Sequence, residues 1–210
     1  KSNGEIINMD SYDEQQVTED AYTFLKSNST ASLQFGENAQ DVSYIFAPDG
    51  RLVIPVMVAM LQPCNTIMFV PDYCDNCMEM HVSLQQFDEH AHGALVDRWQ
   101  VYHGEPPDVQ WALVDIDATR FHEMFIDGEG LCRENALKDI ERTICKTLNE
   151  NKDAVRKQCH KETGVDVTDP FVVGVDPLGI DIRAPFGIVR IQAPVPFALS
   201  QQVLQYFAIV

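Results

Sequence analysis

The chain has 210 residues, is 45% hydrophobic and carries a formal charge of −17. That length buries one large core or two modest ones. The acidity excludes the basic patch needed to displace counterions from nucleic acid or to hold an anionic membrane.

The charge is uneven. Residues 1–137 hold six Lys/Arg and 23 Asp/Glu, whereas residues 138–210 hold nine of each. The step predicts a module boundary near residue 137. The longest apolar run, Leu52 to Leu61, is interrupted by Pro55 and is too short to span a bilayer. No signal-peptide pattern opens the sequence. Six spread-out cysteines fit reduced thiols rather than a small disulfide scaffold. A cytoplasmic location follows, or a plastid one if the chain, which starts at Lys1, is a processed form.

The first dozen residues are polar and predict disorder. Asp13 to Ser27 reads as a helix, with Val17, Ala21, Tyr22, Phe24 and Leu25 as its buried stripe. Strands are predicted at Thr30–Phe35, Val42–Ala47, Leu52–Leu61 and Thr66–Val70, and Asp49-Gly50 is a hairpin signal. Met78, Met80, Val82 and Leu84 alternate with polar residues, the period of a half-buried strand. Asp88-Glu89 reads as its turn and His92 to His103 as the returning strand. Pro106-Pro107 marks a loop, and Trp111 to Ile116 a further strand. Successive strands without a long helix predict an antiparallel barrel.

The pattern then changes. Asn135 to Asn149 is helical, with Ile140, Ile144 and Leu148 spaced by four, and a second helix or a continuation runs to about Lys161 before Gly164. Short strands follow at Phe171–Val175, Ile180–Arg183 and Gly187–Ile191, and Leu199 to Phe207 is an amphipathic helix. The fold class expected is α+β: an N-terminal antiparallel split β-barrel over 13–132 and a C-terminal α-β-β-β-α module over 134–210.

The stretch Val173-Gly174-Val175-Asp176-Pro177-Leu178-Gly179-Ile180-Asp181-Ile182-Arg183 resembles the small domain that follows the split barrel in haem-utilisation proteins related to pyridoxamine-phosphate oxidase. The shared pattern is a strand ending in Gly-(Ile/Val)-Asp, a turn, then Gly-(hydrophobic)-Asp-(hydrophobic)-Arg. The resemblance covers about residue 138 to the end. It implies a homodimer with flavin mononucleotide (FMN) or haem in the cleft between subunits. It also implies an oxidoreductase of that superfamily, or a non-catalytic regulatory relative acting through protein or tetrapyrrole contacts.

Two departures bear on that choice. Between Lys26 and Lys138 the only basic residues are Arg51, Arg98, Arg120 and Arg133, a thin supply for a phosphate dianion. Where relatives often carry Asn-x-Asp-His, this chain reads Asn149-Glu150-Asn151-Lys152.

The candidate cofactor-binding residues are Arg51, His90, His92, Arg98 and His103, histidines being able to ligate haem or metal or to exchange protons near neutral pH. Met57, Met60, Met68, Met78, Met80, Trp99 and Trp111 are candidates to line a flat apolar cleft or to fill the barrel core. Cys74-Asp75-Asn76-Cys77 followed by His81 is a candidate zinc set, Cys74, Cys77 and His81, or two free thiols beside a strand. A redox dithiol there lacks the usual following helix. No P-loop, nucleophile elbow or dinucleotide glycine fingerprint is present.

Overall fold

The computed structural model describes residues 9–106 and 109–209. Residues 1–8 of the polar start and Pro107 of the Pro-Pro loop lie outside the described residues.

Helix α1 (Met9–Lys26) packs on an antiparallel sheet of eight strands. These are β1 (Thr30–Phe35), β2 (Asn38–Ser43), β3 (Ile45–Phe46), β4 (Leu52–Val56), β5 (Thr66–Val70), β6 (Met78–Phe87), β7 (Gln110–Phe121) and β8 (Met124–Asp127). The order is β2-β1-β5-β6-β7-β4-β3, with β8 also on β7. The sheet curls until β2 approaches β4, which makes a half-barrel with an open seam between those strands. Its interior is apolar: Leu33, Leu52, Ile54, Met68, Met78 and Met80 are fully buried. Ala21, Tyr22 and Leu25 of α1 close one end of that core.

The expected strand 42–47 is two pieces, broken at Tyr44, whose hydroxyl donates to the Leu25 carbonyl at 2.8 Å. The run from Leu52 leaves the sheet after Val56 and turns into a short 3-10 helix, Val58–Leu61.

One element differs in kind. The segment expected as a returning strand is helix α2 (Gly93–His103). Val96, Trp99 and Tyr102 recur every three residues and are buried, while the intervening Val101 is exposed. That is a helical stripe, not alternation. Asp88 turns the chain first, its carboxylate accepting from the N–H groups of His90 and Ala91. The strand that returns beside β6 is β7, with Phe87 opposite Trp111.

Helices α3 (Lys138–Glu150) and α4 (Lys152–Thr163) precede a three-stranded antiparallel sheet, β9 (Phe171–Asp176), β10 (Gly179–Ala184) and β11 (Gly187–Gln192). Helix α5 (Ser200–Tyr206) ends the order. Ile144, Leu148, Val155, Ile180, Ile182, Ile191, Val203 and Phe207 form a second core. A third apolar cluster joins the two sheets: Ile45, Val53, Trp99, Tyr102, Trp111 and Leu113 meet Val173.

Candidate functional site

The signature around Gly174 and Gly179 builds a buried ion cluster where the two sheets meet. Asp176 takes Lys26 Nζ at 2.8 Å and Arg190 Nη2 at 2.7 Å. Arg190 Nη1 reaches Asp181 at 2.8 Å, and Tyr102 donates its hydroxyl to the other Asp181 oxygen at 3.0 Å. The Arg190 side chain is 4% exposed. Two cations face two carboxylates, so the cluster is neutral, the condition under which buried charge is tolerated, and only the buried Arg190 Nε among its guanidinium nitrogens is left without a hydrogen-bond partner.

Burial opposes ionisation of Asp176, but Lys26 and Arg190 outweigh it and hold the carboxyl at about 2. Burial lowers the Lys26 pKa from its ordinary value, and Asp176 opposes that shift. The Lys26 ammonium also lies 3.9 Å from the Phe46 ring centroid, a cation–π contact. The glycines are there for space. A Cβ on Gly174 would stand 1.8 Å from the Tyr102 hydroxyl, and one on Gly179 would stand 2.3 Å from the Ile191 carbonyl oxygen. Beside the cluster is a cavity of about 30 Å³ lined by Lys26, Tyr44, Tyr102 and Arg190, among others, room for a water but not for a cofactor.

Arg98, a candidate cofactor ligand, is a staple. It makes a bidentate pair with Glu141 at 2.8 and 3.0 Å, and its Nε donates to the Phe46 carbonyl at 3.0 Å. Glu141 also accepts the Val175 N–H at 3.0 Å. One guanidinium thereby ties α2 to β3, to α3 and, through Glu141, to β9. His103 sits 3.1 Å from the Tyr44 carbonyl. A carbonyl only accepts, so Nε2 carries the proton. Burial lowers the His103 pKa, and the ring is neutral at pH 7.

The remaining candidates are scattered. Arg51 pairs with Asp49 at 2.8 Å at the β3–β4 turn. His90 and His92 are exposed in the turn before α2, not on a strand face. His92 stacks edge-on against Phe87. His90 borders an open hollow of about 410 Å³ with Phe87, Trp111 and several polar side chains. The structure does not gather Arg51, His90, His92, Arg98 and His103 into one site.

The structure does not bring the zinc candidates together. Among the described residues no group of three or more His, Cys, Asp or Glu side chains is placed to hold a metal. Cys74 and Cys77 lie in the turn after β5, whereas His81 lies along β6, its Nε2 3.5 Å from Glu79. All six cysteines are free.

The seam of the half-barrel is the more promising feature. A cleft of about 280 Å³ opens there between Val42 and Ser43 of β2, Pro55 and Val56 of β4, Met57 and Met60 of the following turn, and Trp99 of α2. Trp99 is fixed by its indole N–H, which donates to the Ser43 carbonyl at 3.0 Å. Met57 is half-exposed and the adjacent Val58 exposed, leaving an apolar rim. Of the methionines named from the sequence, Met68, Met78 and Met80 are core, and Met57 and Met60 border the cleft. Lys26, Tyr102, Glu141 and Arg190, which assemble the buried networks, were not singled out by the sequence.

No known family profile matches the chain, and no curated protein matches its sequence. A crystal structure of a protein of unknown function from Agrobacterium tumefaciens is similar over 98% of both chains, with a TM-score of 0.73 and 12% identity. A haem-binding protein from Mycobacterium smegmatis aligns over 91% of this chain and 94% of its own, with a TM-score of 0.41 and 16% identity. The likeness to the Agrobacterium protein extends over both sheets and establishes a shared fold, not a shared activity.

Proposed function

We propose that the protein is a non-catalytic binding protein on a split-barrel-type scaffold, acting as a homodimer, whose seam takes a flat apolar ligand of the tetrapyrrole class and not FMN. The observation that carries this reading is the state of the cations around the half-barrel. Lys26 is held by Asp176, Arg51 by Asp49, Arg98 by Glu141, Arg120 by Glu79 and Arg133 by Glu19, all within 2.8 Å. A flavin phosphate would have to compete with a carboxylate for each of them. The residues therefore do not fit FMN.

The seam suits a planar apolar group better. Pro55, Val56, Met57 and Trp99 offer apolar surface, and thioethers adapt to irregular contacts. No histidine lines the cleft among the described residues; the half-exposed Met57 thioether is the sulfur donor that would face a bound haem there. Haem would supply a metal centre there; this chain's part is to hold the ring and exclude water. The exposed Val58 beside the cleft is apolar surface that a second copy would cover.

Parallel absorbance titrations with haemin and with FMN test the reading. Haemin is expected to give a saturable change in its Soret band, and FMN no change at all. Saturable FMN binding, or indifference to haemin, overturns it. Light scattering reports the dimer separately.

A further inference from the structure

Cys74 and Cys77 close one tight turn between β5 and β6: the Cys77 N–H donates to the Cys74 carbonyl at 3.3 Å. A turn of this kind keeps its first and fourth Cα atoms within about 7 Å. Cysteines with Cα atoms more than about 7 Å apart cannot be bridged without backbone movement, so a turn of this kind meets that distance condition. Both thiols are free; Cys74 is exposed and Cys77 half-buried. The other cysteines are differently placed. Cys64, Cys132 and Cys159 each have a polar atom against the sulfur, and burial pushes the Cys145 thiol up to about 12.

We propose that Cys74 and Cys77 are a dithiol–disulfide pair, oxidised by a low-molecular-weight disulfide of the glutathione class. The exposed Cys74, as thiolate, attacks one sulfur of the oxidant. The oxidant's S–S bond breaks, a mixed disulfide forms on Cys74 and one small thiol leaves. Cys77, as thiolate, then attacks the Cys74 sulfur and expels the second small thiol. Two protein thiols give up two electrons and two protons, and the small disulfide takes them. No helix begins at this turn, so the pair lacks the dipole that makes strongly oxidising C-x-x-C centres. It is a switch on the β5–β6 connection, not an oxidant of other proteins.

The test equilibrates the purified chain in buffers of graded reduced-to-oxidised glutathione ratio, followed by acid quench, alkylation and mass spectrometry of the peptide carrying both cysteines. The expected result is one transition in which both thiols are lost together and the peptide loses two hydrogens without gaining glutathione. Cys77→Ser is expected to trap glutathione on Cys74, because nothing resolves the adduct. Thiols that stay reduced across the series, that titrate independently, or that each end as glutathione adducts overturn the proposal, as does a Cys77→Ser chain that gains no adduct. Both positions lie outside the apolar cores, so thermal melts of Cys74→Ser and Cys77→Ser are expected to match the parent.

Discussion

The Tyr102 hydroxyl occupies the place where a side chain at position 174 would begin: a Cβ on Gly174 would meet it at 1.8 Å. The hydroxyl cannot yield cheaply, because it donates to Asp181 and its ring is buried between the two sheets. Gly174→Ala is therefore expected to destabilise the fold at the upper end of the roughly 1–3 kcal/mol typical of an overpacked core. Urea denaturation measures this. Adding Tyr102→Phe to that variant should recover part of the loss, since the nearest atom is then gone. A double variant no more stable than Gly174→Ala would show that the clash lies elsewhere.

The ion cluster gives a pH dependence with a definite sign. Asp176 has a folded value of about 2 against an ordinary 3.8, so the folded state favours the ionised form. Its contribution is fully present above about pH 4 and is lost as the pH falls towards 2. By linkage the shift is worth about 2 kcal/mol. Asp176→Asn is expected to lower stability at pH 7, because it leaves the buried Lys26 without its carboxylate and Arg190 with Asp181 alone. It should also flatten the acid limb of the stability curve between about pH 4 and pH 2. Parallel acid limbs for parent and variant would remove Asp176 as the titrating group.

Arg98 is expected to act on stability and not on ligand binding. Removing it leaves Glu141 without its bidentate partner, in a position where the carboxylate side chain is only 10% exposed. Breaking such a pair costs roughly 3–5 kcal/mol, and the partial exposure of Arg98 places Arg98→Ala towards the lower figure. Arg98→Lys keeps the charge but loses the fork and the link to the Phe46 carbonyl, so it should recover little. Chemical denaturation of both variants, beside a haemin titration of Arg98→Lys, separates a staple from a ligand. A substantial change in haemin affinity with unchanged stability would restore Arg98 as a binding residue.

The C-terminal sheet was legible because turns and alternation agree there. The Pro185-Phe186-Gly187 turn predicts paired strands on either side, and the ladder indeed sets Ala184 opposite Gly187 and Asp181 opposite Arg190. That cross-strand pair was within reach of the sequence; its burial was not. Nothing in the composition places Lys26, at the end of the first helix, beside Asp176, because that contact depends on how the two sheets dock. Helix α2 was misread because a strand such as β6 requires a returning partner, and the next apolar segment was assigned to it. The three-residue spacing of Val96, Trp99 and Tyr102 was the contrary signal. Arg98 and His103 both fall within that expected strand. On a helix wedged between the sheets they face the Phe46 and Tyr44 carbonyls.

The seam cleft makes the last prediction, and it is independent of folding. Met57 is 45% exposed on the turn after β4, so a charge placed there remains solvated and the core is untouched. Met57→Glu is expected to leave the melting temperature within a degree or two of the parent, as surface changes usually do. Its effect on haemin should be large. The carboxylate faces the apolar ring, removes one of the two thioethers at the cleft and repels the ligand's own carboxylates. A loss of roughly tenfold or more in affinity is expected, equivalent to about 1.4 kcal/mol. Met68→Leu, a volume-conserving change deep in the barrel core, is the contrasting variant and should bind haemin as the parent does. Equal haemin affinity in Met57→Glu and parent would mean that the tetrapyrrole sits elsewhere, and the polar hollow beside His90 and Trp111 would then be the place to look.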